Sequence, residues 1–295
     1  MRVVVTGGLG KIGRWIVNEL ANTADHGTPH EVIVFDRVPG PQQGPFQQGP
    51  VRYVIGDVLD LGQVLGVLAG ADAVVHLAAL AAPGFTTNDV TFHTNVLGTF
   101  NVHEAAWRLG IGRVVSTSST AALGWVYRER DFLPDYLPVD EDHPLRPQDV
   151  YGLSKQIVED IARSYANKCG METVMLRPPG VVTPEQLEEL RAAGGRRPPR
   201  FSLCDYVDLR DLASAFRLAV ERPLTGGTAL FVVADDSNTP EPLSVVLPRL
   251  LPGIGDLAKN LTGTASGTSN ARAKKVLGWQ PQYSWRGPSK EPRQG

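Results

Sequence analysis

Short apolar runs alternate with amphipathic stretches along the first half of the chain. Runs of consecutive apolar residues predict strands at 2–5, 31–35, 51–55, 73–77 and 113–116. Apolar positions at helical spacing predict helices at 90–109, 150–169 and 209–221, and a later apolar run predicts a strand at 228–233. Because buried parallel strands are apolar throughout and alternate with helices, the pattern predicts an α/β fold with a Rossmann-type, doubly wound parallel sheet.

The composition changes near residue 175, where Pro, Gly and Arg become frequent. We predict a dinucleotide-binding Rossmann domain at 1–175 and a smaller C-terminal, substrate-binding lobe at 176–286, with elements that return to the Rossmann core. The polar segment 287–295 is interpreted as a disordered tail. Two segments rich in Pro and Gly, 38–50 and 191–201, are interpreted as an exposed loop and as a mobile lid or loop.

The charge balance points away from nucleic acids and anionic membranes. The chain has 29 basic and 31 acidic residues, a formal net charge of -2, so we expect small-molecule partners. Cys169 and Cys204 are far apart and the histidines are scattered, which favours a reducing compartment without a metal framework. The first apolar run ends at Thr6, well short of the roughly 20 apolar residues of a membrane span. We therefore expect a cytoplasmic protein without a membrane partner.

Glycines follow the first predicted strand at Gly7, Gly10 and Gly13, with the spacing G-x-x-G-x-x-G. Missing side chains let backbone N–H groups approach a pyrophosphate, and the positive end of the next helix adds to the attraction. A tight turn whose glycines serve only packing has the same spacing. The motif alone leaves both interpretations open.

The end of the second predicted strand, Asp36, favours the phosphate-binding interpretation. It follows the glycines by about 20 residues, where a carboxylate can accept both hydroxyls of an adenosine ribose. A 2′-phosphate would meet like charge there, so NAD is preferred to NADP. Arg37 weakens this preference, because a guanidinium can stack on adenine or pair with a 2′-phosphate. A strand-end cap is the structural alternative for Asp36.

Tyr151 and Lys155 lie four residues apart in "YGLSK", on one face of a predicted helix. A nearby ammonium favours phenolate and so lowers the pKa of a tyrosine toward the range where it exchanges protons with a substrate hydroxyl. Such pairs are also common on surface helices. The hydroxyl-rich "VVSTSSTAALG" follows a predicted strand, at the end of the sheet where ligands bind, and can supply a serine donor to the substrate.

Six motifs in order carry a resemblance: "TGGLGKIG", "HLAAL", "NVLGTFNVHEAA", "VVSTSSTAALG", "YGLSK" and "LRPPG". With the later "CDYVDLRDLASAF" and "NARAKKVLGWQP", they make the chain resemble the extended short-chain dehydrogenase/reductase family, the group of NAD-dependent sugar epimerases and dehydratases. The resemblance runs from Met1 to about Trp285. It implies an NAD-dependent enzyme that acts on a sugar and forms a homodimer through the predicted helices 90–109 and 150–169.

The resemblance also implies roles for individual residues. Tyr151 is the proton-exchanging acid/base, Lys155 is its pKa partner and a ribose ligand, and Ser119 is the hydroxyl that steadies the substrate. Asn95 helps to organise the site. Including these, the implied cofactor-binding set is Gly7, Gly10, Lys11, Ile12, Gly13, Asp36, Arg37, Asp57, Val58, Leu77, Ala78, Ala79, Asn95, Tyr151, Lys155 and Pro178, with Pro179 also beside the nicotinamide.

Departures from the family pattern limit the types of reaction that we expect. Dehydratases of the family carry Asp-Glu directly after the catalytic hydroxyl residue, whereas Thr120 and Ala121 follow Ser119, so we reject dehydration unless Glu141 and Asp142 fold back into the site. Where nucleotide-sugar epimerases carry a diphosphate-binding arginine, this chain has Cys204. The region of a second such arginine offers only Lys259.

Two further departures concern the substrate end of the site. Gly180 replaces the asparagine expected after "LRPP". Arg196, Arg197 and Arg200 could instead grip a phosphate or a sugar-acid carboxylate, or form a solvated basic loop. His76 and Cys204 are interpreted as packed core residues rather than catalytic groups.

Three functions remain open from the sequence. The first is hydride transfer from a secondary hydroxyl of a sugar to NAD, as in a sugar epimerase or a sugar or uronate dehydrogenase. The second is nucleotide-sugar 4-epimerisation proper. The third, from another class, is a non-catalytic NAD-sensing protein; such proteins typically lose the tyrosine or the lysine, and both are present here.

Overall fold

Seven parallel strands form the central sheet of the computed structural model, which describes residues 1–22, 29–40, 51–196 and 202–287. The strands are β1 (Arg2–Thr6), β2 (Glu31–Asp36), β3 (Val51–Ile55), β4 (Ala73–His76), β5 (Arg113–Thr117), β6 (Glu172–Arg177) and β9 (Thr228–Phe231), with β7 (Gly180–Val182) and β8 (Tyr206–Asp208) in a separate pair. The sheet order is β3-β2-β1-β4-β5-β6-β9. This order confirms the Rossmann-type, doubly wound sheet.

Helices cover both faces of the sheet. They are α1 (Lys11–Ala21), α2 (Leu61–Leu68), α3 (Asn88–Arg108), α4 (Val150–Cys169), α5 (Pro184–Ala192), α6 (Leu209–Glu221), α7 (Leu243–Leu250), α8 (Gly255–Ala258) and α9 (Ala271–Leu277), with a short 3-10 helix at Thr120–Leu123. Alternate residues of β1 face opposite layers, because Val3 and Val5 pack with α1 and α6 whereas Val4 packs with α2 and α3. The apolar strand pattern is therefore explained by burial on both sides.

The region after β6 combines a small lobe with elements of the main sheet. The lobe contains the β7–β8 pair, α5, α7 and α8, and part of it packs around Trp125, Leu247 and Ile254. β9 leaves the lobe and pairs with β6 at the edge of the main sheet. The division at residue 175 therefore describes sequence composition, while the sheet itself draws strands from both sides of it.

One segment predicted as a loop is partly helical. Residues 191 and 192 end α5, which begins with Pro184 and a capping box in which the Thr183 and Gln186 side chains each accept a backbone N–H of the other. The composition of 191–201 was a poor guide because Gly194 and Gly195 end a helix whose start lies in the preceding residues. Arg197 and Arg200, the predicted loop from 41 onward and the tail from 288 onward lie outside the described residues.

Two expected absences concern membranes and metals. In the part of the chain that the structure describes, no helix combines the length and the apolar character of a membrane span. The same residues contain no group of three or more His, Cys, Asp or Glu side chains placed to hold a metal ion.

Candidate active site

The glycine turn connects β1 to α1. Gly7 has φ +69°, and its N–H donates to the Phe35 carbonyl at 2.8 Å. A Cβ on Gly7 would lie 2.6 Å from the Ala78 nitrogen, so only glycine permits this close approach. Gly10 is the N-cap of α1 and has no side chain to cap it. The first N–H groups of α1 are thus presented at the positive end of the helix, as an anion requires.

A cleft of about 600 Å³ opens at the carboxyl ends of β1, β2, β4 and β5 and along the segment after β6. Nearly all of the predicted site residues line it: Gly7, Gly10, Lys11, Ile12, Gly13, Asp36, Arg37, Asp57, Val58, Leu77, Ala78, Ala79, Ser119, Tyr151, Lys155, Pro178 and Pro179. The chain thus brings together residues that are up to 172 positions apart in sequence. The glycine turn and Asp36 form one part of this cleft, and Ser119, Tyr151 and Lys155 form another.

Asp36 lies where a ribose-binding carboxylate is needed. Its Oδ2 accepts the Leu9 N–H at 3.0 Å, which ties it to the glycine turn. In the part of the chain that the structure describes, its Oδ1 makes a long contact of 3.5 Å with the Val38 nitrogen. Asp36 can serve both as a strand-end cap and as a ribose ligand. One carboxylate oxygen accepts the Leu9 N–H, and the other makes a long contact with the Val38 nitrogen that a ribose hydroxyl could replace. The uncapped α1 start, the cleft and this carboxylate together fit a dinucleotide.

Asn95 is not among the described residues that line the cleft. It is 1% exposed on α3, and its Oδ1 accepts the Leu80 N–H at 2.8 Å. Its Nδ2 donates to the Leu80 carbonyl and to the Ser154 hydroxyl, and Ser154 in turn donates to the Tyr151 carbonyl. Asn95 therefore joins the loop after β4 to α4 from behind the cleft wall, an organising position and not a contact position.

Tyr151 and Lys155 share one face of α4, whose N-cap is Asp149. Both side chains are buried, and the Lys155 ammonium donates to the Thr117 carbonyl at 2.8 Å. That contact fixes Lys155 against the end of β5, directly before the turn that carries Ser119. The geometry brings together the three residues predicted to be catalytic.

Burial shifts the pKa values of both α4 groups. It raises the pKa of Tyr151 to about 12, although the hydrogen bond with the Ser119 hydroxyl opposes that rise. Burial also lowers the pKa of Lys155 to about 8. Burial therefore favours the protonated tyrosine at neutral pH, while the lysine is mostly charged.

Tyr127 was missed by sequence reasoning. It lines the cleft, and its ring meets the Tyr151 ring edge-on with centroids 6.2 Å apart. Tyr127 lies in the irregular segment between the 3-10 helix and α4, where no periodic pattern marks inward-facing positions. Its neighbour Val126 and Val181 of β7 add apolar surface to the same cleft.

The groups considered for dehydration lie elsewhere. The Glu141 carboxylate accepts the Phe231 N–H of β9 at 2.8 Å, and Asp142 pairs with Arg272 of α9 at 2.7 Å. Neither is among the described residues that line the cleft. Neither carboxylate therefore lies where dehydration would need it.

Neither Cys204 nor Lys259, which stand where the family has its diphosphate arginines, is among the described residues that line the cleft. Cys204 is 3% exposed, and burial raises the pKa of its thiol to about 12, so it stays neutral. Lys259 is exposed and pairs with Asp256 at 2.6 Å. Arg196 is exposed, and its backbone N–H donates to the Asn238 carbonyl. The expectation that Cys204 is buried is confirmed.

His76 is a buried structural histidine, as expected. Its Nδ1 contacts the Thr6 hydroxyl at 2.8 Å and its Nε2 contacts the Thr99 hydroxyl at 3.1 Å. Thr99 donates to the Asn95 carbonyl, so it accepts from His76, and Thr6 must donate to the other ring nitrogen. Burial keeps the His76 pKa well below its usual value, which preserves this neutral form.

The fold and the site define an NAD-dependent enzyme of the short-chain dehydrogenase/reductase type. A model of the NAD dependent epimerase/dehydratase family matches residues 3–234. The chain therefore belongs to that family, which confirms the resemblance, the enzyme class and the cofactor predicted from the motifs.

Named relatives include enzymes of two kinds. The chain is 30% identical to a UDP-glucose 4-epimerase of Rhizobium leguminosarum bv. trifolii, across 95% of this chain and 93% of the relative. It is 32% identical to an L-arabinose 1-dehydrogenase (NAD(P)(+)) of Haloferax volcanii, across 76% of this chain and 84% of the relative. A solved short-chain dehydrogenase/reductase superfamily protein from Agrobacterium tumefaciens with bound NAD superimposes with a TM-score of 0.72 at 26% identity, covering 97% of this chain and 94% of that chain.

Proposed function

We propose that this chain oxidises a secondary hydroxyl of a sugar or sugar derivative, with Ser119, Tyr151 and Lys155 as its catalytic residues. The observation that carries the proposal is their meeting in the cleft that also contains the glycine turn and Asp36. Relatives named as an arabinose dehydrogenase and a UDP-glucose 4-epimerase support the substrate class.

In the proposed reaction, the hydride and the proton of the substrate go to different acceptors. When bound, NAD would accept the hydride, and its positively charged ring would add to the positive potential of Lys155. Ser119 holds the substrate oxygen, and the Tyr151 oxygen takes the hydroxyl proton. Lys155 favours phenolate at Tyr151 by its charge, and Thr117 keeps the ammonium in place. Val126 and Tyr127 keep one wall of the cleft apolar and limit access of water to this proton path.

We further propose a substrate without a nucleotide diphosphate, and hence net dehydrogenation. A charge-assisted pair with phosphate contributes roughly 1.5–3 kcal/mol, so loss of two arginines would seriously weaken binding of a diphosphate. A neutral Cys204 thiol and the exposed Lys259–Asp256 pair support this reading. Gly180, a cleft residue without a side chain, supports it further.

The test has two stages. Mass spectrometry of the denatured, purified protein measures retained NAD, and a panel of free sugars, sugar acids and nucleotide sugars then measures NADH formation. Exchangeable cofactor with net NADH from a free sugar or sugar acid is the expected result. Retained cofactor with an epimer and no net NADH would contradict dehydrogenation. NAD binding without turnover of any sugar would favour the sensor.

Nucleotide-sugar 4-epimerisation is the second candidate. It is favoured by the UDP-glucose 4-epimerase relative, which aligns over nearly the whole of both chains. In the same panel, interconversion of two nucleotide sugars by the purified protein would establish this candidate.

A homodimer through α3 and α4 is also proposed. Phe92 and Phe100 of α3 are 37% and 41% exposed, and with Ile157 and Ile161 of α4 they line an apolar groove on the outer face of the two helices. A second copy would cover this groove. Light scattering should give twice the monomer mass, and Phe92→Glu with Phe100→Glu should give the monomer; a monomeric unchanged protein would contradict the dimer.

The cytoplasm is the proposed location. Cys169 and Cys204 are both free thiols, which suits a reducing compartment.

A further inference from the structure

Lys11 occupies an electrostatically unfavourable position on its own helix. It is the first residue of α1, at the positive end of the helix dipole, where a cation is disfavoured. The first turn, Lys-Ile-Gly-Arg, contains a second cation, Arg14, and no acid. Local helix stability therefore does not explain a lysine here, and the partners of its ammonium group must be sought elsewhere in the fold.

Those partners belong to the small lobe. The Lys11 ammonium donates to the Val181 carbonyl of β7 at 3.0 Å and to the Gln186 Oε1 of α5 at 3.1 Å. Gln186 is held in place by the capping box, because its Oε1 also accepts the Thr183 N–H at 3.0 Å. The acceptor for Lys11 is therefore fixed before the lysine binds it.

This contact connects two distant sides of the cleft. Lys11 and Val181 both line the cleft, one after β1 and the other after β6. In the sheet, β4 and β5 lie between β1 and β6, so the two sides are separated by three strand spacings, about 14 Å. The Lys11 bonds therefore join the glycine turn to the small lobe, on the far side of the ends of β4 and β5.

We propose that Lys11 is a positioning residue that holds the small lobe against the glycine turn and so retains the bound dinucleotide. Release of the cofactor then requires the bonds from Lys11 to Val181 and Gln186 to break. The proposal rests on NAD binding by the family and on no particular substrate. It gives this chain a means of setting cofactor residence time, the property that separates an epimerase, which keeps its cofactor, from a dehydrogenase, which exchanges it.

Stopped-flow fluorescence of NADH, displaced from the intact protein by excess NAD, measures the release rate directly. Lys11→Met removes the ammonium but keeps a long side chain, and it should raise the release rate by about three- to tenfold, because the charge-assisted bonds that it removes are solvent-exposed. Arg14→Met is the matched control, because it removes a cation from the same helical turn, and in the described part of the chain the Arg14 guanidinium donates to the nearby Leu9 carbonyl rather than to the small lobe. It should change the rate by less than about twofold.

Gln186→Glu is expected to slow NADH release, an effect that local damage to the structure would not produce. Glutamate preserves the capping box and offers Lys11 a carboxylate, so NADH release should become several-fold slower. In the Lys11→Met background the same change should no longer slow release. Slower release in both backgrounds, or an unchanged rate in Lys11→Met, would overturn the retaining role.

The outcomes also separate this role from the catalytic proposal. NADH binding with altered release in Lys11→Met, but no turnover of any sugar, would contradict the proposed function alone. Sugar-dependent NADH formation with unaltered release would contradict the role of Lys11 alone.

Discussion

The Lys155 ammonium nitrogen lies 5.7 Å from the centre of the Tyr151 ring, one helical turn away along α4. Neither group has its ordinary pKa, because burial raises the pKa of Tyr151 and lowers that of Lys155. The two pKa values move in opposite directions, but both shifts disfavour the ionised form. We therefore expect proton exchange by Tyr151 near neutral pH to require further positive charge in the cleft, which a bound NAD would supply.

Tyr151→Phe should abolish the proton path while leaving the cleft intact. We expect the oxidation rate to fall by about 10²–10⁴-fold, the usual contribution of a positioned acid or base, with little change in the affinity for NAD. Tyr165→Phe on the same helix is the matched control, because the Tyr165 hydroxyl bonds to Glu104 away from the cleft. Steady-state rates and NAD titrations of both variants make the comparison. Full activity of Tyr151→Phe would refute the assignment.

The buried Lys155 should make stability depend on pH. Burial lowers its pKa from 10.5 to about 8, so between these pH values the unfolded chain binds more protons than the folded chain. The contribution of Lys155 to the free energy of unfolding should therefore rise with pH across that window, by on the order of 3 kcal/mol. Urea unfolding of the unchanged protein and of Lys155→Met, at pH 7.5 and at pH 10, isolates this contribution as a change in their difference. A difference that is the same at both pH values would contradict it.

Glu159 should be far more important for stability than its neighbour Asp160. The Glu159 carboxylate is buried and accepts two hydrogen bonds from Arg177, each at 2.7 Å. Glu159→Gln leaves the buried Arg177 charge without its counter-ion, so we expect a loss of about 3–5 kcal/mol. Asp160→Asn breaks only the exposed pair with Arg163 and should cost less than about 1 kcal/mol. Equal denaturation midpoints for the two variants would be inconsistent with this account.

The same substitution should have opposite effects at two helical glycines. A Cβ on Gly13 of α1 would lie 2.4 Å from the Gly7 carbonyl oxygen, so Gly13→Ala must displace the glycine turn. Around Gly66 of α2, no described atom outside its local helix backbone and chain neighbours lies within 4 Å of such a Cβ. Gly66→Ala should stabilise the protein by about 0.4–1 kcal/mol, whereas Gly13→Ala should lower both the melting temperature and the affinity for NAD. Thermal unfolding with and without NAD gives both readouts.

Much of the sheet was predictable because its central strands, such as β1 and β4, are buried on both faces and its edge strand β3 is still a mostly apolar run. The predicted strand at 51–55 matches β3, and the predicted helices at 150–169 and 209–221 match α4 and α6. The helix predicted from residue 90 begins at Asn88, because Thr87 is its N-cap. The small lobe was less predictable, since three-residue strands such as β7 and a four-residue helix such as α8 are too short to show a period.

The residues of the site also fall into those that a local sequence pattern marks and those that no such pattern marks. Local spacing marked the glycine turn, and Tyr151 with Lys155, as candidates because each set lies within one or two helical turns, but the order of the family motifs was needed to favour the functional interpretation. Tyr127 reaches Tyr151 through an irregular segment, and Lys11 meets Val181 across 170 residues of chain. Contacts of this kind depend on how the lobe folds back onto the sheet, and no local pattern encodes them.

The small lobe begins where β6 ends, and α6 then returns the chain to the sheet layer before β9. The described residues between β6 and α6 therefore form an excursion from the carboxyl edge of the sheet, tied to the glycine turn at Val181 and Gln186. This excursion is inserted into the β6–α6–β9 crossover, whose two strands pair directly with each other in the sheet. A grafted excursion that keeps acceptors for Lys11 at these two positions should change which hydroxyl compound the enzyme oxidises. The recipient chain should still determine how the dinucleotide is bound.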